Sequence, residues 1–328
     1  MSNPSVPPVP YHATAQRPGW TALPAAVRAA VSARLGAPVV EVRVATAGFT
    51  RGFAAVLRTA EGDSAFVKAA ARAEQPHLVD WYAREAAILA RLPVGLPVPG
   101  LRWTLWEAGW YALCLDPVEG HTPRLPWDPA ELDATLAGYV DIAAALADPP
   151  TELAGLGLPR LADLAREDIL WWDEVAAGRE PAPPLPASAV GRLTELVALE
   201  SKLPRYAAEA TGLTHGDLRV DNVLIGADRT AWFCDWTWLC HGPAWFDLVG
   251  LLITGYASGL EVDARFATHP AAADAPTDAL DVTLAALAGY HLTAAAAPPP
   301  TASAQLPAHQ RWTGEQALAW LARRQGWN

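Results

Sequence analysis

Thr214-His215-Gly216-Asp217-Leu218-Arg219-Val220-Asp221-Asn222, followed after a short gap by Phe233-Cys234-Asp235-Trp236, is the most informative part of this 328-residue chain. It holds an Asp, an Asn five positions later and a second Asp behind a strand-like apolar run. That set supplies what in-line phosphoryl transfer requires: one carboxylate for the nucleophile and two hard oxygen donors for Mg²⁺.

This arrangement resembles the aminoglycoside phosphotransferase family, small-molecule relatives of protein kinases whose catalytic loop reads H-G-D-x-x-x-x-N and whose metal loop begins with Asp. The likeness covers both motifs directly and, through weaker marks, most of residues 38–325. It implies an α+β, bilobal protein-kinase-like fold, with an N-lobe built on an antiparallel β-sheet plus one helix and a larger, mainly helical C-lobe. By the same resemblance Asp217 is the base and positioning residue for an acceptor hydroxyl, and Asn222 and Asp235 are the Mg²⁺ ligands. A carboxylate of ordinary pKa, about 4, is a weak base, so alignment of the hydroxyl is its main role in a largely dissociative transition state. His215 supports the loop geometry. Arg219 either neutralises charge on the transferred phosphoryl group or faces solvent. Asp221 is read as a loop cap.

Upstream, Lys68 in Ala65-Phe66-Val67-Lys68-Ala69 resembles the third-strand lysine that contacts the α- and β-phosphates of ATP. Its partner is expected to be Glu85, with Glu74 as the fallback. The chain has only two lysines, Lys68 and Lys202, and one falls on the apolar strand where the family needs it. Gly48-Phe49-Thr50-Arg51-Gly52 lies between two strand candidates, where a flexible turn can bring backbone N–H groups over phosphates. It departs from the fuller glycine-rich loop of protein kinases and also suits a plain hairpin. The resemblance places the purine against the main chain around Leu113 and Leu115, leaving ATP or GTP as the nucleotide. Asp235-Trp236-Thr237 stands where protein kinases carry Asp-Phe-Gly, and no Ala-Pro-Glu segment follows, which argues against protein substrates. Asp247 is read as structural, bonding backbone or capping a helix.

Apolar and β-branched runs at 39–45, 52–59, 65–69, 101–106 and 110–115, broken by turn signals, predict five strands, and helical spacing over 77–92 predicts a helix between the third and fourth. Beyond Asp116-Pro117 the composition turns to long Ala- and Leu-rich stretches near 129–147, 160–177, 189–208, 246–258, 277–297 and 308–324. Proline clusters at 181–186 and 298–300 read as loops between helices. The predicted organisation is a disordered lead over 1–20, an N-lobe over 21–116 and a C-lobe over 117–328. No internal repeat is present.

With 52% hydrophobic and 18% charged residues the chain can bury a large core. The N-terminus lacks the basic start and apolar core of a secretory signal, and the run 282–297 is shorter than the roughly 20 residues that span a bilayer. A cytoplasmic protein without membrane partners is expected. Its three cysteines have no metal-binding spacing and are read as reduced core residues. A net charge of −11 disfavours nucleic acid, whose backbone calls for clustered Lys and Arg.

The implied reaction is ATP- and Mg²⁺-dependent transfer of a phosphoryl group to the hydroxyl of a small molecule. Inactivation of an antibiotic of aminoglycoside, nucleoside or macrolide type is the leading role. A metabolic kinase of sugars, choline-like alcohols or amino acids, and a nucleotide-binding pseudokinase, are the alternatives. Acidic and aromatic residues at 167–174, with Asp168, Trp171, Trp172 and Asp173, together with Trp236 beside the metal loop, form the candidate cleft for a cationic or amphiphilic acceptor. Large aromatics mostly fill cores, which is the competing reading for the fifteen tryptophans. A monomer and a homodimer are both compatible with the sequence.

Overall fold

The computed structural model describes residues 5–296 and 303–327, so Pro4 and the proline break at 298–300 lie outside the described residues. Helix α1 (Ala25–Leu35) precedes five strands, β1 (Val39–Val44), β2 (Phe53–Thr59), β3 (Ser64–Ala71), β4 (Leu101–Glu107) and β5 (Trp110–Leu115). The strands form one antiparallel sheet in the order β1-β2-β3-β5-β4. Side chains alternate across its pleat. Phe53, Ala55 and Leu57 of β2 and Ala65, Val67 and Ala69 of β3 pack outward against Val27 and Val31 of α1. The intervening Ala54, Val56, Phe66 and Lys68 therefore face the inter-lobe cleft. Helix α1 was not read from the sequence because alanine is its commonest residue and only Val27 and Val31 are buried, which leaves a weak apolar stripe. On the other side of the sheet α2 (Pro76–Leu89), started by a proline at its first position, buries Leu78, Val79, Tyr82, Glu85 and Ile88.

After β5 the chain passes through β6 (Gly120–His121) to α3 (Pro129–Ala147), whose N-cap Asp128 accepts from Ala130 N at 2.9 Å. Following α4 (Thr151–Ala154), the single helix expected over 160–177 is instead α5 (Leu161–Leu164), a π-turn (Ala165–Ile169) and α6 (Trp172–Ala176). The break has a partner. Buried Glu200 accepts from Trp171 N (3.2 Å) and Asp173 N (2.8 Å), taking amides that a continuous helix would use internally. The stretch 189–208 likewise splits into α7 (Leu193–Glu200) and α8 (Leu203–Glu209), with Pro204 in the first turn of α8, where no N–H is needed.

Strands β7 (Leu213–Thr214), β8 (Val223–Gly226), β9 (Ala231–Phe233) and β10 (Cys240–His241) form two small antiparallel sheets, β10-β7 and β6-β8-β9. Helices α9 (Ala244–Ala257), α10 (Val262–Thr268), α11 (Ala279–Ala296) and α12 (Leu306–Gln325) complete the C-lobe. α11 is apolar enough and long enough to cross a membrane by composition, yet 78% of that span is buried inside the lobe, the pattern of a core helix. Its packing is close. A Cβ at Gly289 would lie 2.9 Å from Trp172 Nε1, and one at Gly314 of α12 would lie 2.7 Å from Leu292.

The expectation of a disordered lead is overturned from Ser5 onward. Ser5 N donates to Ala257 O (2.7 Å), Val9, Tyr11 and Thr14 are buried, and Tyr11 Oη meets His309 Nδ1 at 2.7 Å. Further along, Thr14 Oγ1 donates to Gly48 O (3.0 Å) and Ser303 Oγ donates to Thr14 O (2.9 Å). Prolines and few apolar residues read as disorder because the surface that receives them, the α9–α12 side of the C-lobe, is distant in sequence. The segment is a strap joining that side to the β1–β2 turn.

Candidate active site

The loop of residues 214–222 hangs from one buried carboxylate. Asp247, in the first turn of α9, accepts from Thr214 Oγ1 (2.5 Å), His215 N (2.6 Å), Gly216 N (2.9 Å) and Tyr139 Oη (3.0 Å). Gly216 has φ +80°, and a Cβ there would collide with the Trp238 carbonyl, so the loop needs glycine at this point. His215 Nε2 meets Cys234 O at 3.0 Å and Cys234 N donates to Asn222 O at 2.9 Å, which ties this loop to the segment carrying Asp235.

Asp217 and Arg219 face each other across this loop. Arg219 Nη1 lies 2.5 and 2.7 Å from the two oxygens of Asp217, and its Nε and Nη2 bond Asp221 at 3.0 and 3.1 Å. Arg219 is thus a paired, partly buried side chain between two carboxylates, with its guanidinium 5.6 Å from the Phe49 ring centroid. Asp221 receives a charged bond from it, beyond the capping role expected for it. Burial pushes the Asp217 carboxyl up to about 6, against the opposing pull of Arg219.

Asn222 and Asp235 present hard oxygens to the same cavity. Asn222 Nδ2 donates to Asp217 O at 2.7 Å, which turns the amide oxygen away from that bond. Asp235 is a non-glycine residue with φ +63°, a strained conformation of the kind concentrated at functional sites. Burial opposes its charge, yet Lys68 and Arg219 hold its carboxyl below the usual range. One amide oxygen and one ionised carboxylate suit Mg²⁺, which takes one or two protein carboxylates and completes its shell with water and phosphate.

From the N-lobe, Lys68 Nζ reaches both oxygens of fully buried Glu85 at 2.8 Å and lies 3.5 Å from Asp235. Burial alone would lower the lysine's pKa, but Asp235 and Glu85 raise it, so the ammonium stays charged. Gly48 (φ +97°) and Thr50 line the cavity at the β1–β2 turn. Gly52 does not; it packs against Tyr82, where a Cβ would clash with the phenol. Sequence reading missed Arg17 by assigning it to the lead. Its guanidinium donates to Thr50 Oγ1 (3.0 Å), Gly52 O (3.0 Å) and Ala47 O (3.2 Å), bracing this turn from within the cavity. No local sequence signal marks it.

Leu113 is also corrected. It is fully buried and pairs with Lys68 on one side and Thr104 on the other, so the central position of β5 occupies its main chain. Leu115, Asp116 and Val118 reach the cavity instead. In the acceptor region only part of the expected set is brought to the cleft. Asp168, Trp171 and Trp236 line it. Trp172 is fully buried with Nε1 donating to Ala285 O (2.8 Å), and Trp236 is fully buried with Nε1 donating to Phe233 O (3.0 Å) and its ring 4.7 Å from His215. Asp173 points elsewhere, 3.2 Å from Arg179. The core reading holds for Trp172, whereas Trp236 packs its indole into the core and still belongs to the cavity wall. The three cysteines are free, and burial pushes the Cys114 and Cys234 thiols up to about 12.

These groups converge on one cavity of about 1070 Å³ between the lobes. A five-stranded lobe carrying a buried Lys–Glu pair, set over a helical lobe carrying Asp, Asn and Asp on adjacent loops, defines a kinase-like phosphotransferase. The model of the phosphotransferase enzyme family APH matches residues 46–280, and the chain belongs to that family. An aminoglycoside phosphotransferase APH(4)-Ia variant in complex with AMP-PNP and hygromycin B has 15% identity and a TM-score of 0.60, covering 90% of this chain and 97% of that one. The GDP and kanamycin complex of APH(2")-IIia has 17% identity and a TM-score of 0.60, with 90% and 97% covered. A candidate fructosamine-3-kinase from Haemophilus somnus 129PT has 13% identity and a TM-score of 0.53, with 89% and 96% covered. At such identities the likeness shows the fold. No curated protein sequence matches the chain.

Proposed function

We propose that this family member transfers the γ-phosphoryl group of ATP, with Mg²⁺, to a hydroxyl of a small molecule, an antibiotic being the leading acceptor. The carrying observation is the convergence of Asp217, Asn222 and Asp235 beneath the Lys68–Glu85 pair in a single cavity. Nucleotides bound in two of the structures of like fold, AMP-PNP and GDP, support a purine triphosphate as donor.

In this reading Leu115, Asp116 and Val118 receive the purine, and Lys68, fixed by Glu85, meets the α- and β-phosphates. Gly48 and Thr50 offer turn amides to the phosphates, and Arg17 holds that turn in shape. Asn222 and Asp235 would hold Mg²⁺, which would supply charge neutralisation for the phosphates. Asp217 aligns the acceptor hydroxyl and takes its proton as the new O–P bond forms and the bond to the ADP leaving oxygen breaks. In this reading Arg219, bonded to Asp217 and Asp221, also offsets charge on the transferred group. Asp168 and Trp171 contact the acceptor.

The test is mass spectrometry of aminoglycosides, nucleoside antibiotics, macrolides, sugars and amino alcohols incubated with protein and Mg-ATP, beside Asp217→Ala. A compound that gains one phosphate only with the intact protein supports the reading and names the acceptor. Phosphate gain that persists with Asp217→Ala removes Asp217 from the chemistry. Bound ATP with no acceptor across the panel favours a metabolic acceptor outside it or a non-catalytic protein.

A further inference from the structure

The acceptor end of the cavity is poor in free negative charge. Seven carboxylates line the cavity as a whole. Asp217 and Asp221 share Arg219, and Glu85 and Asp235 share Lys68. Asp116 lies 2.7 Å from Arg102, and Asp247 is saturated by hydroxyl and amide donors. Among the described residues only Asp168, exposed at the rim, has a carboxylate with neither a cationic partner nor a set of hydrogen-bond donors. A polyamine would leave water for a wall that returns at most one ion pair, and desolvating unpaired ammonium groups is unfavourable.

What the wall offers instead is apolar area and neutral polar atoms. Phe49, Ile169, Trp171, Leu287 and Leu306 supply the area. Among the described residues four lining side chains have polar atoms sealed from solvent without a protein partner: Arg17 Nε and Tyr82 Oη on the N-lobe side, and His291 Nδ1 and Gln310 Oε1 on α11 and α12. Burial, reinforced by His309 and Arg219, holds the His291 imidazole well below its ordinary pKa, so it is neutral at pH 7. Buried orphan groups of this kind are ordinarily satisfied, by a ligand or by water. His291 and Gln310 lie on α11 and α12, outside the stretch matched by the family model, 46–280.

Resting on the phosphotransferase reading, we infer that the acceptor is a hydroxyl compound with a broad apolar face and at most one amine, and that Gln310 and His291 select its polar groups while Asp168 receives the single amine. A polycationic aminosugar does not fit this wall.

The experiment measures binding by tryptophan fluorescence and calorimetry to the full chain loaded with Mg-AMP-PNP. Its probes are octyl glucoside (neutral), octyl glucosaminide and erythromycin (one amine each), and kanamycin and hygromycin B (several amines). The first three should bind at least about tenfold more tightly than the last two at physiological salt. Asp168→Asn should weaken only the one-amine probes, by about threefold, as suits an exposed ion pair. Gln310→Leu should weaken all three by about five- to tenfold, with nucleotide affinity unchanged as the control for folding. Equal or tighter binding of the polycations, or no binding of the first three probes, overturns the inference. The expected binding order with no phosphate gained from Mg-ATP would support the inference while counting against the transferase reading. Phosphate gained by kanamycin at comparable kcat/KM would do the reverse.

Discussion

Arg219 spans Asp217 and Asp221, placing Nη1 within 2.7 Å of both Asp217 oxygens and Nε 3.0 Å from Asp221. The guanidinium favours the ionised carboxylate while burial favours the protonated one, and burial prevails, lifting Asp217 to about 6. The proposed base is therefore active above that pH, and kcat should fall as pH drops through about 6. Removing the cation lifts the carboxyl further, so Arg219→Gln should lower kcat and move the acid limb upward. A pH–rate profile measures both, and a limb that stays in place would separate Arg219 from the titration of Asp217.

Asp217 and Asp235 should fail differently. Asp217→Ala should lose phosphoryl transfer and retain Mg-ATP binding. Asp235→Asn should raise the Mg²⁺ concentration needed for half-maximal nucleotide binding by about tenfold or more, the loss of one charged ligand. Calorimetric titrations with and without metal distinguish them, and an unchanged metal requirement in Asp235→Asn would take it out of the metal site.

Lys68→Met would leave Glu85 fully buried with no cation. Stranding one member of a buried pair costs about 3–5 kcal/mol, so the variant should unfold at lower denaturant as well as bind nucleotide weakly. Denaturant titration measures the first effect, and stability within about 0.5 kcal/mol of the parent would mean that the pair is not isolated from water.

Tyr11 and Arg17 make the strap part of the site. Tyr11→Phe removes the bond to His309 and should cost about 1 kcal/mol. Arg17→Ala frees the carbonyls of Ala47 and Gly52 and should raise the nucleotide KM while leaving global stability nearly unchanged. Limited proteolysis checks the loosening directly, since cutting near residues 46–52 should be faster in Arg17→Ala. Equal cutting rates would show that the turn holds without the strap.

The adjacent indoles separate core from cleft. Trp172→Ala should destabilise by about 3–5 kcal/mol, the usual loss for a large aromatic in a packed core. Trp171→Ala should spare stability and raise the KM of whichever acceptor is found. Thermal denaturation beside acceptor kinetics tests the pair, and equal Tm losses would place both in the core.

Sequence alone carried what depends on short-range pattern. Apolar and β-branched runs marked the strand that carries Lys68, and the spacing from Asp217 to Asn222 and on to Asp235 marked the candidate catalytic and metal loops, because strand pattern and loop length are local properties. Helix α1 escaped because its alanines leave a weak apolar stripe, and the helix over 160–177 was drawn too long because Glu200, far along the chain, takes its amides. Tertiary structure decided the rest. Which of two neighbouring tryptophans is buried, whether Arg219 meets solvent or Asp217, and whether Tyr11 and Arg17 belong to a loose lead or to the cleft all depend on partners remote in sequence. Burial and long-range hydrogen bonding are properties of the surface a residue meets, and that surface exists only once the chain has folded.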